Sequence, residues 1–158
     1  MTRPILIAAA ALGIAAAAPA GSAPVPPETA AGPDFLVKNA AAKGVVTTPD
    51  GVEYFVVTSG SANGRHPGAQ DIVNLDYELK LLTGETVDSS SANGGPLTGK
   101  PGDFVPGFSE ALQLMRPGDE WIVWIPPQLG YGSKEVGPIP ANSVLRFKLS
   151  LHSVTPAG

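Results

Sequence analysis

The clearest signal along the chain is a period of two. Val73, Leu75, Tyr77, Leu79 and Leu81 alternate with Asn74, Asp76, Glu78 and Lys80. Successive strand side chains point to opposite faces, so this stretch predicts a strand with one buried and one wet face. The last apolar stretch behaves the same way: Leu145, Phe147, Leu149 and Leu151 alternate with Arg146, Lys148, Ser150 and His152. From Glu120 to Ile125, Trp121, Val123 and Ile125 fall on one side and Ile122 and Trp124 on the other. A further strand is expected over Val52–Thr58, after the turn Pro49-Asp50-Gly51, and extended chain resumes over Thr86–Ser90, beyond Thr83-Gly84. Once, the period changes. Phe108, Ala111, Leu112 and Met115 stand at i, i+3, i+4 and i+7, the stripe of an amphipathic helix that Pro117 must end. A shorter helix is expected from Phe35 to Ala42, capped by Asp34 and ended by Gly44, with Phe35, Leu36 and Asn39 near one face.

These elements predict an α+β fold, an antiparallel half-barrel sheet of four to five strands wrapped around one amphipathic helix. The inward faces of the strands need one cover, and the Phe108–Met115 stripe supplies it. Trp124 faces away from that core and is expected to cover a sheet edge, to dock the Phe35 helix or to contact a partner, the first two together being favoured.

The ends of the chain change the picture. Residues 1–20 carry Arg3 as their one charge, an apolar run from Ile5 to Ala17, and the small-residue site Ala18-Pro19-Ala20. That is the pattern of a signal peptide, so export is expected, the periplasm first, with no membrane anchor left after cleavage. Residues 21–33, rich in Ala, Pro and Gly, read as a flexible linker. Residues 34–50 form a short helical lead-in and 51–158 the main domain. There is no cysteine, so disulfides and thiolate-bound zinc are excluded. His66 and His152 lie far apart, without metal-ligand spacing, and both are expected to be solvated. A net charge of −4 argues against nucleic acid as a partner.

The chemistry is concentrated in loops. Ile125-Pro126-Pro127 leads to Gly130-Tyr131-Gly132, and a proline-stiffened loop returns through Pro138-Ile139-Pro140 to the last strand. Prolines fix φ and glycines free it, so this loop is built to hold one shape. It contains no His or Cys, one carboxylate (Glu135) and one phenol, so acid–base or nucleophilic catalysis is not what it offers. Taken alone, Tyr77, Phe108 and Phe147 read equally well as plain core, and Asp88 as a turn residue.

Five short motifs then occur in order: Val87-Asp88-Ser89-Ser90, Phe104-Val105-Pro106-Gly107-Phe108, Ile125-Pro126-Pro127, Tyr131-Gly132 and Ile139-Pro140. Together they resemble the FKBP-type peptidyl-prolyl cis–trans isomerases, over roughly Gly51 to Val154. The lead-in from Phe35 to Tyr54 is similar to that of exported bacterial members, including the macrophage infectivity potentiator group. The resemblance implies a pocket between helix and concave sheet. It assigns catalytic roles to Tyr77, Asp88, Val105, Phe108 and Tyr131, and substrate-binding roles to Val87, Phe104, Ile139 and Phe147. It implies no cofactor and no metal. The expected partners are proline-containing unfolded or exported polypeptides, with rapamycin-type macrolides as possible ligands, on a monomer. Val87 and Gly99 stand where the family has aromatics, which widens the expected pocket. The activity implied is rotation about Xaa-Pro bonds in exported proteins; the alternative is a chaperone module that holds peptide in the same groove with weak or no turnover.

Overall fold

The computed structural model describes residues 28–157. The expected signal peptide and residues 21–27 of the expected linker lie outside them. The chain runs α1 (Glu28–Ala40), β1 (Val45–Thr47), β2 (Glu53–Thr58), β3 (Ile72–Leu81), β4 (Thr86–Ser89), β5 (Leu97–Gly99), α2 (Pro106–Leu114), β6 (Glu120–Ile125) and β7 (Leu145–Thr155). All strand pairs are antiparallel, in the order β1-β2-β6-β7-β3-β4, with β5 also paired to β3.

The alternation read from the sequence decides which face is inward. Along β3 every second residue from Val73 to Leu81 is buried, and β6 and the first half of β7 repeat the pattern. Register then lines these faces up. Leu79 pairs with Phe147 and Phe147 with Val123; Tyr77 pairs with Leu149 and Leu149 with Trp121. Helix α2 lies on this concave surface through Phe108, Ala111 and Leu112, with Met115 just past its end. Pro106 stands in its first turn, where its missing N–H costs nothing. The helix approaches the sheet so closely that a Cβ on Gly107 would collide with the Ile125 side chain.

Three expectations need correction. The sheet has seven strands, not four to five, because β1 and β5 are three-residue segments. Three residues are too few to show a period, and these form because register offers them a partner. Val73 and Leu75 pair with Gly99 and Leu97, and Val45 with Phe55. Helix α1 starts at Glu28, inside the stretch read as a linker, and not at Phe35. Glu28, Ala30 and Ala31 are good helix formers, a preference that the Ala/Pro/Gly-rich composition of the stretch masks. At its other end α1 stops at Ala40. Ala41 and Ala42 then donate to Lys38 and Asn39 three residues back, and Gly44 turns the chain with a φ of 88°. The helix docks as expected on the convex side of the sheet: the Phe35 and Trp124 ring centroids are 6.2 Å apart. Asn39 donates a 2.8 Å hydrogen bond to Glu53, whose carboxyl is almost fully buried. That burial raises the Glu53 pKa above its usual value, with the Asn39 bond opposing.

Both histidines are exposed, and each also makes one contact. His66 Nδ1 lies 3.1 Å from the Met115 carbonyl and ties the 59–70 loop to the end of α2. His152 stays exposed but pairs with Asp76 at 2.8 Å.

Candidate active site

At the concave end of the sheet, four aromatic rings close on one another. Phe108, fully buried, is at their centre. Its ring is 5.0 Å from Phe104 and 4.9 Å from Phe147, both edge-to-face, and 6.4 Å from Tyr77 at 86°. Edge-to-face contact sets the positive rim of one ring against the negative face of the next. Each ring comes from a different element: β3 (Tyr77), the chain before α2 (Phe104), α2 (Phe108) and β7 (Phe147). Gly99 accounts for part of this packing. A Cβ there would lie 3.1 Å from the tip of the Phe104 ring, so Phe104 fills the space that a side chain on β5 would take.

The polar side of the site is built by β4 and the 3₁₀ turn after it, Ser91–Asn93. The Tyr77 hydroxyl donates to Asp88 Oδ2 at 2.8 Å. Asp88 Oδ1 accepts from the Ser89 N–H and from Asn93 Nδ2, both at 2.9 Å. Burial, and then the Asp88 bond and charge, push the Tyr77 phenol well above its usual range, with the Asn93 bond acting the other way. Burial first and the Asp88 charge second do the same to Tyr131. Both phenols therefore stay protonated at physiological pH and remain hydrogen-bond donors.

Tyr131 is presented by a loop pinned in several places. Gly130 and Gly132 donate to the Pro127 carbonyl at 2.9 and 2.8 Å. Asn142 donates to the Gly132 carbonyl at 2.7 Å, and Val136 and Ile139 exchange both main-chain bonds at 2.9 and 2.8 Å. Gly132 and Gly137 take positive φ values of 63° and 55°. The proline-rich loop thus holds a fixed shape, as its composition implies. Ile139 is fully buried by it, and Tyr131 is half-buried.

The nine residues singled out in the sequence form one neighbourhood. Tyr77, Phe104, Phe108, Ile139 and Phe147 belong to the buried cluster, and Val87, Val105 and Tyr131 pack against it half-exposed. Asp88 joins through Tyr77. Val105 caps α2 in an extended conformation, and among the described residues its N–H has no acceptor. Sequence reasoning missed Asn93 and Ser90. Ser90 is buried and binds the backbone of Tyr77 through its own N–H and its hydroxyl oxygen, while the hydroxyl donates to Asp76. The signal available for both was the Ser/Asn run before Gly94-Gly95, a tight turn in which short polar side chains bond back to the main chain. Among the described residues no group of three or more His, Asp or Glu is placed to hold a metal.

Comparisons with known proteins bear on the family and the fold. The family model described as FKBP-type peptidyl-prolyl cis–trans isomerase matches residues 63–152. The outer membrane protein MIP of Legionella longbeachae is 40% identical over 81% of this chain and 54% of its own length. A probable FKBP-type peptidyl-prolyl cis–trans isomerase, FkpA, of Neisseria meningitidis is 40% identical over 76% of this chain and 44% of its own. The chain thus spans about half the length of these relatives. The crystal structure of FkpA from Escherichia coli superposes with a TM-score of 0.77 at 36% identity, covering 83% of this chain and 61% of that one. A peptidyl-prolyl isomerase structure from Pseudomonas syringae gives 0.74 at 28% identity, covering 85% and 98%. On a matched family model, relatives at 40% identity and a shared fold, the chain belongs to the FKBP-type peptidyl-prolyl cis–trans isomerases.

Proposed function

We propose that this chain accelerates cis–trans rotation about Xaa-Pro bonds of exported polypeptides. The observation that carries the reading is the closed aromatic floor around Phe108, with one phenol and one free main-chain N–H at its rim. Amide resonance sets a rotation barrier of ~18–20 kcal/mol. At the midpoint of rotation the resonance is lost and the amide is less polar than in its planar ground state. Water stabilises the planar form more, so a dry surface favours the twisted one. Phe104, Phe108, Ile139 and Phe147 supply that surface, and Val87 is the smaller wall beside it. The Val105 N–H binds a substrate carbonyl, and Tyr131, kept protonated, donates a second hydrogen bond. Asp88 and Tyr77 hold each other in place at 2.8 Å. No nucleophile or proton transfer is required.

In this reading residues 1–20 direct export, residues 51–158 are the isomerase domain and the chain acts as a monomer in the periplasm. Its clients are proline-containing unfolded chains, and rapamycin-type macrolides compete for the same pocket. Isomerisation of short Leu-Pro and Phe-Pro peptides, with and without rapamycin, is the test. Rapamycin-sensitive acceleration is the expected result; a folded chain that gives none sinks the reading. A peptide-holding chaperone is the second reading, favoured by the exposed apolar residues Val46, Phe55, Val56 and Val57 of β1 and β2. Suppression of client aggregation without turnover would select it.

A further inference from the structure

We propose that Asn93, outside the resemblance-derived set, is a positioning residue for the reaction: it holds the Asp88 carboxylate in register with Tyr77 and does so without neutralising it. The inference rests on the isomerase reading above and names a residue that the family motifs do not contain. Asn93 Nδ2 lies 2.9 Å from Asp88 Oδ1, 3.0 Å from the Tyr77 hydroxyl oxygen and 3.0 Å from the Ser89 carbonyl oxygen. A carboxylate and a main-chain carbonyl only accept, so the amide nitrogen must be the end that faces them. Two hydrogens serve three acceptors, so one of them is shared. Tyr77 in turn donates to Asp88 Oδ2, which closes a ring: both carboxylate oxygens, the phenol and the amide.

Ser90, buried and bonded to the Tyr77 main chain, anchors the start of the turn that carries Asn93. Asn93 donates its own N–H to the Ser90 carbonyl, as does Gly95, and Gly94 and Gly95 follow with φ values of 101° and 138°. Nothing lies within 4 Å of a Cβ built on either glycine, so the turn stands open to solvent on that side. The side chain of Asn93 thus fastens the far end of the turn to Asp88 and Tyr77.

The choice of an amide has an electrostatic consequence. A lysine or arginine in its place would cancel the Asp88 charge. A neutral donor orients the carboxylate and leaves its field on Tyr131, which is where the phenol's raised pKa comes from after burial. The titratable groups facing Asn93 are Asp88 on β4 and Tyr77 on β3, with Tyr131 across the site under the Asp88 charge. Both phenols titrate far above neutrality, so a new charge at position 93 acts on Asp88 alone.

The test uses the full chain with Asn93→Ala and Asn93→Asp. Aspartate is close to isosteric with asparagine. Protonated, it can donate to Asp88 as the amide does; ionised, it repels it, and two carboxyls at this distance share one proton with one pKa strongly raised. The expected result for Asn93→Ala is a kcat/KM about tenfold below the unmodified chain at every pH, the size of one lost hydrogen bond to a charged group. For Asn93→Asp, kcat/KM is near that of the unmodified chain at about pH 5 and falls about tenfold by about pH 8, while the unmodified chain stays flat. A purely structural role would lower the melting temperature but not bend the pH profile. A flat Asn93→Asp profile, at whatever level, overturns the inference, and so does full activity of both variants. An inactive unmodified chain would refute the isomerase reading instead. In that case carbon NMR of the carboxyls in Asn93→Asp still decides the geometry. One carboxyl of the pair titrating clearly above the usual range supports the close contact, and two ordinary titrations refute it.

Discussion

Replacing Phe108 by Ala removes the ring on which the pocket floor depends. The side chain is fully buried, and Phe→Ala at such sites costs about 3–5 kcal/mol, from lost transfer free energy plus the cavity left behind. Part of that is specific. The two short edge-to-face contacts, at 5.0 Å to Phe104 and 4.9 Å to Phe147, are each worth about 0.5–1.5 kcal/mol beyond the area they bury. A domain of this size holds about 5–15 kcal/mol in total, so the variant stays folded in the cold. With a loss near 4 kcal/mol and a urea slope near 2 kcal/mol/M, its midpoint drops by about 2 M. Trp121 and Trp124 both stand on β6, so intrinsic fluorescence follows the transition. A cycle with Phe147→Leu isolates the ring pair, with an expected coupling of about 0.5–1.5 kcal/mol. At a temperature where the variant is folded, kcat/KM for Leu-Pro peptides falls more than about tenfold, the equivalent of about 1.4 kcal/mol of transition-state stabilisation. A stability loss under about 1 kcal/mol with no coupling to Phe147 would refute the packing argument. Undiminished turnover would refute the role of the floor.

Three further outcomes are expected. Gly107→Ala drives a methyl into Ile125 and lowers stability by about 1–3 kcal/mol by overpacking, whereas Gly84→Ala, with open space around it, does so only through its positive φ; urea melts compare the two. Glu53→Gln keeps an acceptor for Asn39 but removes a buried ionisable group whose pKa is raised, a contribution fully present below the ordinary value of 4.5 and lost as pH rises through the folded value. The variant therefore melts higher than the unmodified chain at neutral pH and loses that advantage in acid; a difference independent of pH would count against the burial argument. Asp76 has a lowered pKa, chiefly from the Ser90 hydroxyl and then from His152. Its contribution is present above the ordinary value of 3.8 and lost as pH falls through the lowered one, so Asp76→Asn flattens the acid limb of the stability profile, read from melting temperatures in a pH series.

What could be read from residues alone was whatever repeats over enough of them. The period of two in β3, β6 and β7 determined which side chains face inward, because strand geometry alternates faces and water decides which set is buried. The i, i+3, i+4 stripe determined that Phe108, Ala111 and Leu112 would meet that face. The five spaced motifs brought Asp88, Phe104, Phe108 and Tyr131 under suspicion, and the family resemblance they carry added Tyr77. Only tertiary structure decided the rest. Strands β1 and β5 exist because a longer neighbour offers them hydrogen bonds, and three residues carry no period of their own. Glu53 is buried because α1 lies over it, thirteen residues and more away in sequence. Phe104 occupies the space beside Gly99, and Asn93 reaches Tyr77 across sixteen residues, because register brings β3 and the segments after it together. Such contacts are set by distances in space between residues distant in the chain, and no local pattern encodes them.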